Sequence, residues 1–269
     1  MNLDIINYIQ PMFITVNDLA KTREDPNLIL IDARSYKEYS VEHIPCAVNL
    51  DLFYYHWSDT SKEGMKAFDM EMQKLLSYVG ITKEKKVVFY DEVSGMSAAR
   101  GVWLLLYFSH PQVFMLDGGI KKWKSESLPL ETKTNGFKPA KFSGKTNKDI
   151  VVGYEYIKKN LDKIKLVDAR TQEEFNGIVI RAARSGHIPN AINVDWNFNI
   201  TEDGTMKDNK SLSDLYQQIS KDDEIVTYCQ GGYRAANSFL ALKKLGFKNV
   251  KVYVGSWGEW GNRLDLHVV

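Results

Sequence analysis

Leu166-Val167-Asp168-Ala169-Arg170, then Glu174-Phe175, then His187-Ile188-Pro189-Asn190-Ala191-Ile192-Asn193-Val194-Asp195 is a stretch that the chain has already spelled once. Its earlier form is Leu30-Ile31-Asp32-Ala33-Arg34, Glu38-Tyr39 and His43-Ile44-Pro45-Cys46-Ala47-Val48-Asn49-Leu50-Asp51. Two further matches follow in the same order. Lys86-Val87-Val88-Phe89-Tyr90 corresponds to Glu224-Ile225-Val226-Thr227-Tyr228, and Asp117-Gly118-Gly119-Ile120-Lys121-Lys122-Trp123 to Val254-Gly255-Ser256-Trp257-Gly258-Glu259-Trp260. A long repeat with its motifs in one order is a duplicated domain.

Within each copy, short apolar runs alternate with stretches of helical spacing, the pattern of an α/β unit with a mainly parallel sheet. In the second copy, strands are expected at Leu166–Asp168, Ala191–Val194, Glu224–Tyr228 and Val250–Val254. A helix is expected from about Arg234 to Leu245, with Ala236, Phe239, Leu240 and Leu245 inward and Gly246 closing its C-terminus. Ser97–Phe108 takes that place in the first copy. Residues 125–148 are polar and aperiodic, with Pro129, Gly136, Pro139 and Gly144, and read as a linker. The division expected is one domain over residues 1–124, the linker, and a second domain over 149–269.

The chain has 269 residues, enough for two domains with sizeable cores. Its 35 basic and 34 acidic side chains leave a net charge of +1, which marks no nucleic-acid or anionic-membrane partner. Five histidines and two cysteines, with no close Cys-x-x-Cys pair, argue against a zinc site. Met1-Asn2-Leu3-Asp4-Ile5-Ile6-Asn7 lacks the basic start and apolar core of a signal peptide, and no apolar run approaches membrane-spanning length. A soluble, cytoplasmic protein is expected, in a reducing compartment that keeps thiols free.

Cys229 ends a strand-like run and opens Cys229-Gln230-Gly231-Gly232-Tyr233-Arg234, after which the helical spacing begins. A glycine-rich turn between strand and helix points successive amides inward, and the unpaired amides of the helix add partial positive charge there. A cysteine in that place is expected to ionise readily and attack as a thiolate. Cys46, in His43-Ile44-Pro45-Cys46-Ala47-Val48, reads as an incidental thiol.

Each copy serves as a control for the other. Asp32/Asp168, Arg34/Arg170, Glu38/Glu174 and His43/His187 occur in both and so belong to the fold, although only one copy has the thiol. His187 is therefore not expected to be a base for Cys229. Two differences point to function. Asp91 stands where the second copy has Cys229, which makes the first copy catalytically silent. Asn176 through Gly186 is eight residues longer than Ser40-Val41-Glu42 and contains Arg181 and Arg184, which suit an oxyanion or carboxylate.

Asp-Ala-Arg followed by Gly186-His187-Ile188-Pro189-Asn190-Ala191, the six-residue loop at Cys229, the aspartate at the equivalent place and the ending Gly255-Ser256-Trp257-Gly258-Glu259-Trp260-Gly261-Asn262-Arg263 together resemble the tandem rhodanese-like sulfurtransferases. That family comprises the thiosulfate and 3-mercaptopyruvate sulfurtransferases, and the resemblance spans nearly the whole chain. It implies two rhodanese-like domains, each a mainly parallel five-stranded sheet flanked by helices, with an active site at their interface. It implies that Cys229 takes the outer sulfur of a small donor as a persulfide and passes it to cyanide or a thiol, with no metal or organic cofactor. The persulfide would be held by the backbone of Gln230, Gly231, Gly232, Tyr233 and Arg234, and the donor's anionic end by Arg181, Arg184 and Arg234. The loop matches neither the basic pattern usual with thiosulfate nor the Cys-Gly-Ser/Thr-Gly-Val-Thr usual with mercaptopyruvate; Arg234 tips the expectation to thiosulfate.

Two rivals remain at this stage. A Cdc25-like phosphatase or arsenate reductase also uses a Cys-loop-Arg cradle, but with five residues between Cys and Arg, whereas Cys229 and Arg234 are separated by four. A non-catalytic sulfur-relay or binding module would need no turnover at Cys229. Trp257 and Trp260 are candidates for lining the donor pocket, although the match of Trp123 to Trp260 favours core packing for Trp260.

Overall fold

The computed structural model describes residues 12–269, so the Met1–Asn7 stretch and the start of the first domain lie outside the described residues. Two five-stranded sheets form, and every strand pair in them is parallel. The first holds β1 (Phe13–Ile14), β2 (Leu28–Asp32), β3 (Val48–Asn49), β4 (Lys86–Tyr90) and β5 (Val113–Leu116), in the order β1-β5-β4-β2-β3. The second holds β6 (Val151–Val152), β7 (Lys165–Asp168), β8 (Ala191–Asn193), β9 (Ile225–Tyr228) and β10 (Val250–Tyr253), in the order β6-β10-β9-β7-β8. The duplication read from the motifs thus holds strand by strand. β6 was missing from the expected strands because two residues at a sheet edge carry no period.

The central strands β4 and β9 are apolar and buried because helices cover both faces of a parallel sheet. The helix after β9 runs Tyr233–Lys244, starting from Gly232 at φ 86°, with Gly246 at φ 82° just beyond its end. Its counterpart in the first copy is Met96–Tyr107. These two helices pack directly against each other. For that reason the inward face is wider than the period suggested: from Tyr233 to Leu242 every residue but Arg234 is buried, whereas Leu245 is only partly so. Val102 and Trp103 of one copy and Phe239 and Leu240 of the other share a single apolar core.

Residues 125–148 are a strap rather than a loose linker. The backbones of His43 and Glu131 exchange two hydrogen bonds of 2.9 Å, and Asn135 donates from its amide to the Tyr39 hydroxyl and from Nδ2 to the Ala47 carbonyl. The Ala140 N–H donates to Ser77, and Phe142 is buried. Polar side chains here serve the backbone, so no apolar period arises.

The paired motifs do what their presence in both copies suggests. Arg34 and Arg170 grip Asp32 and Asp168 at 2.6 Å, and each donates onward at 2.8 Å to a carbonyl just before His-Ile-Pro, that of Glu42 or Gly186. His43 and His187 place Nδ1 at 2.8 and 3.0 Å from the carbonyls of Tyr39 and Phe175 and stack on those rings. Among the described residues no helix is long and apolar enough to cross a membrane.

Cys46 and Asn190 occupy the same place in His-Ile-Pro-x-Ala, and both are left-handed, at φ 69° and 64°. Asparagine tolerates that conformation far better than cysteine. Cys46→Asn is therefore expected to keep the fold and raise the unfolding free energy by up to about 1 kcal/mol. Urea denaturation checks this, and a loss of stability would show that the backbone there is not strained.

Candidate active site

Cys229 follows the last residue of β9, at the C-terminal edge of the sheet where open α/β folds present their ligands. It is only 1 % exposed, and the Gly232 N–H donates to its sulfur at 3.1 Å. The segment Ser256-Trp257-Gly258 holds the loop from behind. The Cys229 N–H donates to Ser256 Oγ, while the Trp257 and Gly258 amides donate to the carbonyls of Cys229 and Gln230 at 2.9 and 2.8 Å. With those carbonyls drawn back, the amides of Gln230, Gly231, Tyr233 and Arg234 have no protein acceptor among the described residues. This is an anion-sized cradle at the N-terminus of a twelve-residue helix.

The three arginines have different fates. Arg234 is mostly buried and donates through both terminal nitrogens to Glu174, with Nη2 at 3.0 Å from Oε1. Burial works against its charge, but the Glu174 bonds and the nearby Cys229 hold its pKa above the ordinary value. Arg181 touches the same carboxylate at 3.2 Å and keeps its side chain 58 % exposed, at the rim of the loop. Gln230 ties that rim to the loop, donating from Nε2 to the Arg181 carbonyl at 3.0 Å. Arg184 is a correction. Its guanidinium donates to the carbonyls of Trp260, Gly261, Arg263 and Leu266, so it clamps the C-terminal segment and has no fork left for a donor.

Glu174 was assigned to the fold because Glu38 matches it, and both do close a capping box. Only Glu174 also anchors two cations: burial opposes its charge, yet Arg234, Thr171 and Arg181 hold it below the usual carboxylate range. The signal was present in the repeat, since Ser97 stands where the second copy has Arg234.

The first domain reaches into the site in ways no motif showed. The Tyr233 hydroxyl donates to the Leu52 carbonyl at 2.5 Å, and Phe53 lies against the Tyr233 ring. His56 sits on Gly231 so closely that a methyl there would meet Cε1 at 1.9 Å. Burial, and then the charge of Arg100, hold the imidazole below its ordinary pKa and favour its neutral form. Trp257 and Trp260 do not line a pocket: both are buried, Trp257 against the Arg170 guanidinium at 4.6 Å.

In the first copy the same cradle is filled by the chain itself. The Asp91 carboxylate accepts from the amides of Gly95, Ser97 and Ala98 at 3.0, 3.0 and 3.1 Å. A cleft of about 300 Å³ lies above it, lined by Arg34, Glu38, Asp51, Glu92 and Trp196 among others, and its acids disfavour an anionic ligand. Burial pushes the Asp91 carboxyl up to about 6 despite the amides. A carboxyl raised on folding stabilises the protein below its unfolded pKa, near 3.8, and the benefit is lost as pH rises through about 6. Relative to Asp91→Asn, the natural protein is therefore expected to lose on the order of 2 kcal/mol between pH 4 and pH 7. Parallel urea titrations of the two proteins check this; a constant difference across that range would contradict it.

The model of the rhodanese-like domain matches residues 15–126 and again 154–263. A thiosulfate sulfurtransferase of Pseudomonas aeruginosa is 30% identical over 266 residues, covering 96% of this chain and 97% of its own. The sulfur carrier protein TtuD of Thermus thermophilus is 30% identical, with 98% of each chain covered. Among solved structures, the 3-mercaptopyruvate sulfotransferase SseA of Escherichia coli superposes with a TM-score of 0.76 at 29% identity, over 92% of this chain and 99% of that one. With the match falling once on each copy and relatives of the two-domain kind aligned over nearly the whole chain, the chain belongs to the rhodanese family of sulfurtransferases, in its two-domain form.

Proposed function

We propose that Cys229 carries sulfur from thiosulfate to cyanide or a thiol acceptor, as a persulfide held in the cradle of residues 229–234. The observation that carries this is the contrast between the two loops. An aspartate oxygen and the outer sulfur of a cysteine persulfide stand the same number of bonds from Cα. In the first loop that oxygen meets the amides of Gly95, Ser97 and Ala98, whereas in the second the Gly232 amide donates to the cysteine sulfur itself and the amides of Gln230, Gly231, Tyr233 and Arg234 have no protein acceptor among the described residues.

In the first half-reaction the Cys229 thiolate attacks the sulfane sulfur of thiosulfate. An S–S bond forms, the donor's S–S bond breaks, and its electron pair leaves on sulfite. In the second, an acceptor such as cyanide attacks the outer sulfur, and the pair of the breaking bond returns to Cys229 as thiolate. Neither step moves a proton onto a carbon or oxygen centre, so amide donors suffice. Arg181 and Arg234 would meet the sulfonate end of the donor at the mouth of the loop, both already oriented by Glu174.

Thiosulfate is favoured because the loop has two cations beside it and no serine or threonine within it. The name of the Pseudomonas relative agrees with that choice. The likeness to SseA supports 3-mercaptopyruvate as the second donor reading, with pyruvate as leaving group. The name of TtuD supports a protein-bound acceptor, as an alternative to cyanide or a small thiol. Turnover of this kind suits the cytoplasm, where Cys229 stays reduced between cycles.

Brief incubation of reduced protein with thiosulfate is expected to add one sulfur atom to Cys229 by intact mass, and cyanide to remove it as thiocyanate. Cys229→Ser gains nothing. Gain from 3-mercaptopyruvate alone changes the donor, and gain from neither overturns the proposal. Arg181→Ala is expected to raise KM for thiosulfate about tenfold or more, the loss of one charge-assisted contact, with kcat changed far less. An unchanged KM would remove Arg181 from the donor site.

A further inference from the structure

Arg100 lies on the helix Met96–Tyr107 of the silent domain and is 3 % exposed. Its Nη1 has no hydrogen-bond partner among the described residues. The rings of Trp103, Tyr233 and Phe68 surround its guanidinium at 4.6, 5.4 and 5.9 Å. Nη1 points at the other domain's loop: a methyl on Gly232 would meet it at 3.1 Å. Gly232 is the residue whose amide holds the Cys229 sulfur.

A buried cation requires an anion, and aromatic faces replace one only in part. Burial holds the Arg100 guanidinium below its ordinary pKa, and the groups that act in the opposite direction are Tyr233 and Cys229. Tyr233 is excluded as the anion, because its hydroxyl is pushed up to about 12 and donates to Leu52. That leaves the sulfur.

The repeat strengthens this. With the one-residue gap between the loops, Arg100 corresponds to Asn237, and Asn237 Nδ2 donates to the Ser94 carbonyl in the silent loop at 2.8 Å. Each helix thus sends the residue at one position into the opposite copy's loop. Where the loop has its own carboxylate, Asp91, the visitor is neutral. Where the loop has a thiol, the visitor is a cation.

We propose that Arg100 of the first domain is the buried counter-charge for the anionic sulfur, thiolate or persulfide, on Cys229 of the second. It rests on the reading of Cys229 as the sulfur carrier. It acts as a positioning residue, through the field it places on the sulfur from the core side. The other charged or titratable groups around Cys229 are Arg234 and Tyr233 on its own loop and helix, His56 above Gly231, and Glu174 with Arg181 behind Arg234. None of these is both buried and cationic without a carboxylate.

The test uses the full chain with Cys46→Asn, so that Cys229 is the one thiol left. The iodoacetamide alkylation rate is followed against pH. Arg100→Met is expected to move the alkylation midpoint up by about one pH unit or more, with roughly tenfold slower reaction below the midpoint. Arg100→Lys keeps it near that of the parent. A folded Arg100→Met protein with an unmoved midpoint overturns the proposal. A second measurement leaves Arg100 in place: Cys229→Asp, a fixed anion beside Arg100, is expected to unfold at higher temperature than Cys229→Asn, and equal or lower stability also overturns it. Alkylation reads the acidity of the thiol whether or not sulfur is ever transferred, so a failed donor assay and a failed counter-charge give different results.

Discussion

The site depends on the direction of a few peptide groups after β9. The Trp257 and Gly258 amides draw the carbonyls of Cys229 and Gln230 backward, and this turns the loop's N–H groups toward the sulfur. The geometry imposes residue choices on both sides. Ser256 takes φ 51° so that its hydroxyl can accept from Cys229, Gly232 takes φ 86° to start the helix, and Gly231 has no side chain because His56 occupies that space. An anion site built from backbone does not change protonation state, so it suits an anion that is made and consumed in each cycle.

Duplication lets the two loops hold different anions. The first loop holds one that belongs to the chain itself, the Asp91 carboxylate on the amides of Gly95, Ser97 and Ala98. Under the proposed function, the Cys229 loop holds one only while its sulfur is charged, and must tolerate its absence. Arg234, held by Glu174, and Arg100, lying among aromatic rings, both place positive charge beside the Cys229 loop. The insertion serves the same loop: Arg181 and Gln230 join it to the cradle, while Arg184 secures the chain's last residues.

Much of this was legible because the sequence repeats itself. The order of motifs told the domain count and the sheet type, since strands buried on both faces are apolar wherever they occur. Comparing the copies also separated the Asp-Arg and His-Ile-Pro groups from the chemistry. The same comparison misplaced Glu174, because a residue can keep its capping role in both copies and gain a second role in one. Arg184 was misjudged because a guanidinium has no signature that separates binding carbonyls from binding a substrate. His56 and Arg100 left no trace, for their partners are far along the chain and only the packing of two helices brings them near. Trp260 is packed in the core, as its match to Trp123 led one to expect, whereas Trp257 shows the same limit: residue type does not tell which side of a helix the sheet will cover.

That packing has a consequence for how the molecule comes apart. The core shared by Val102, Trp103, Phe239 and Leu240 is reinforced by a polar join, in which Thr60 of the first half donates to Glu259 of the second from its amide, at 2.8 Å, and from its hydroxyl. Neither half can withdraw without uncovering apolar surface and a buried carboxylate together. The two halves should therefore melt as one cooperative unit despite their separate sheets. A cut in the connecting strap would leave a nicked protein still held together, whereas a gene for the second half alone would encode a chain with an unfinished core.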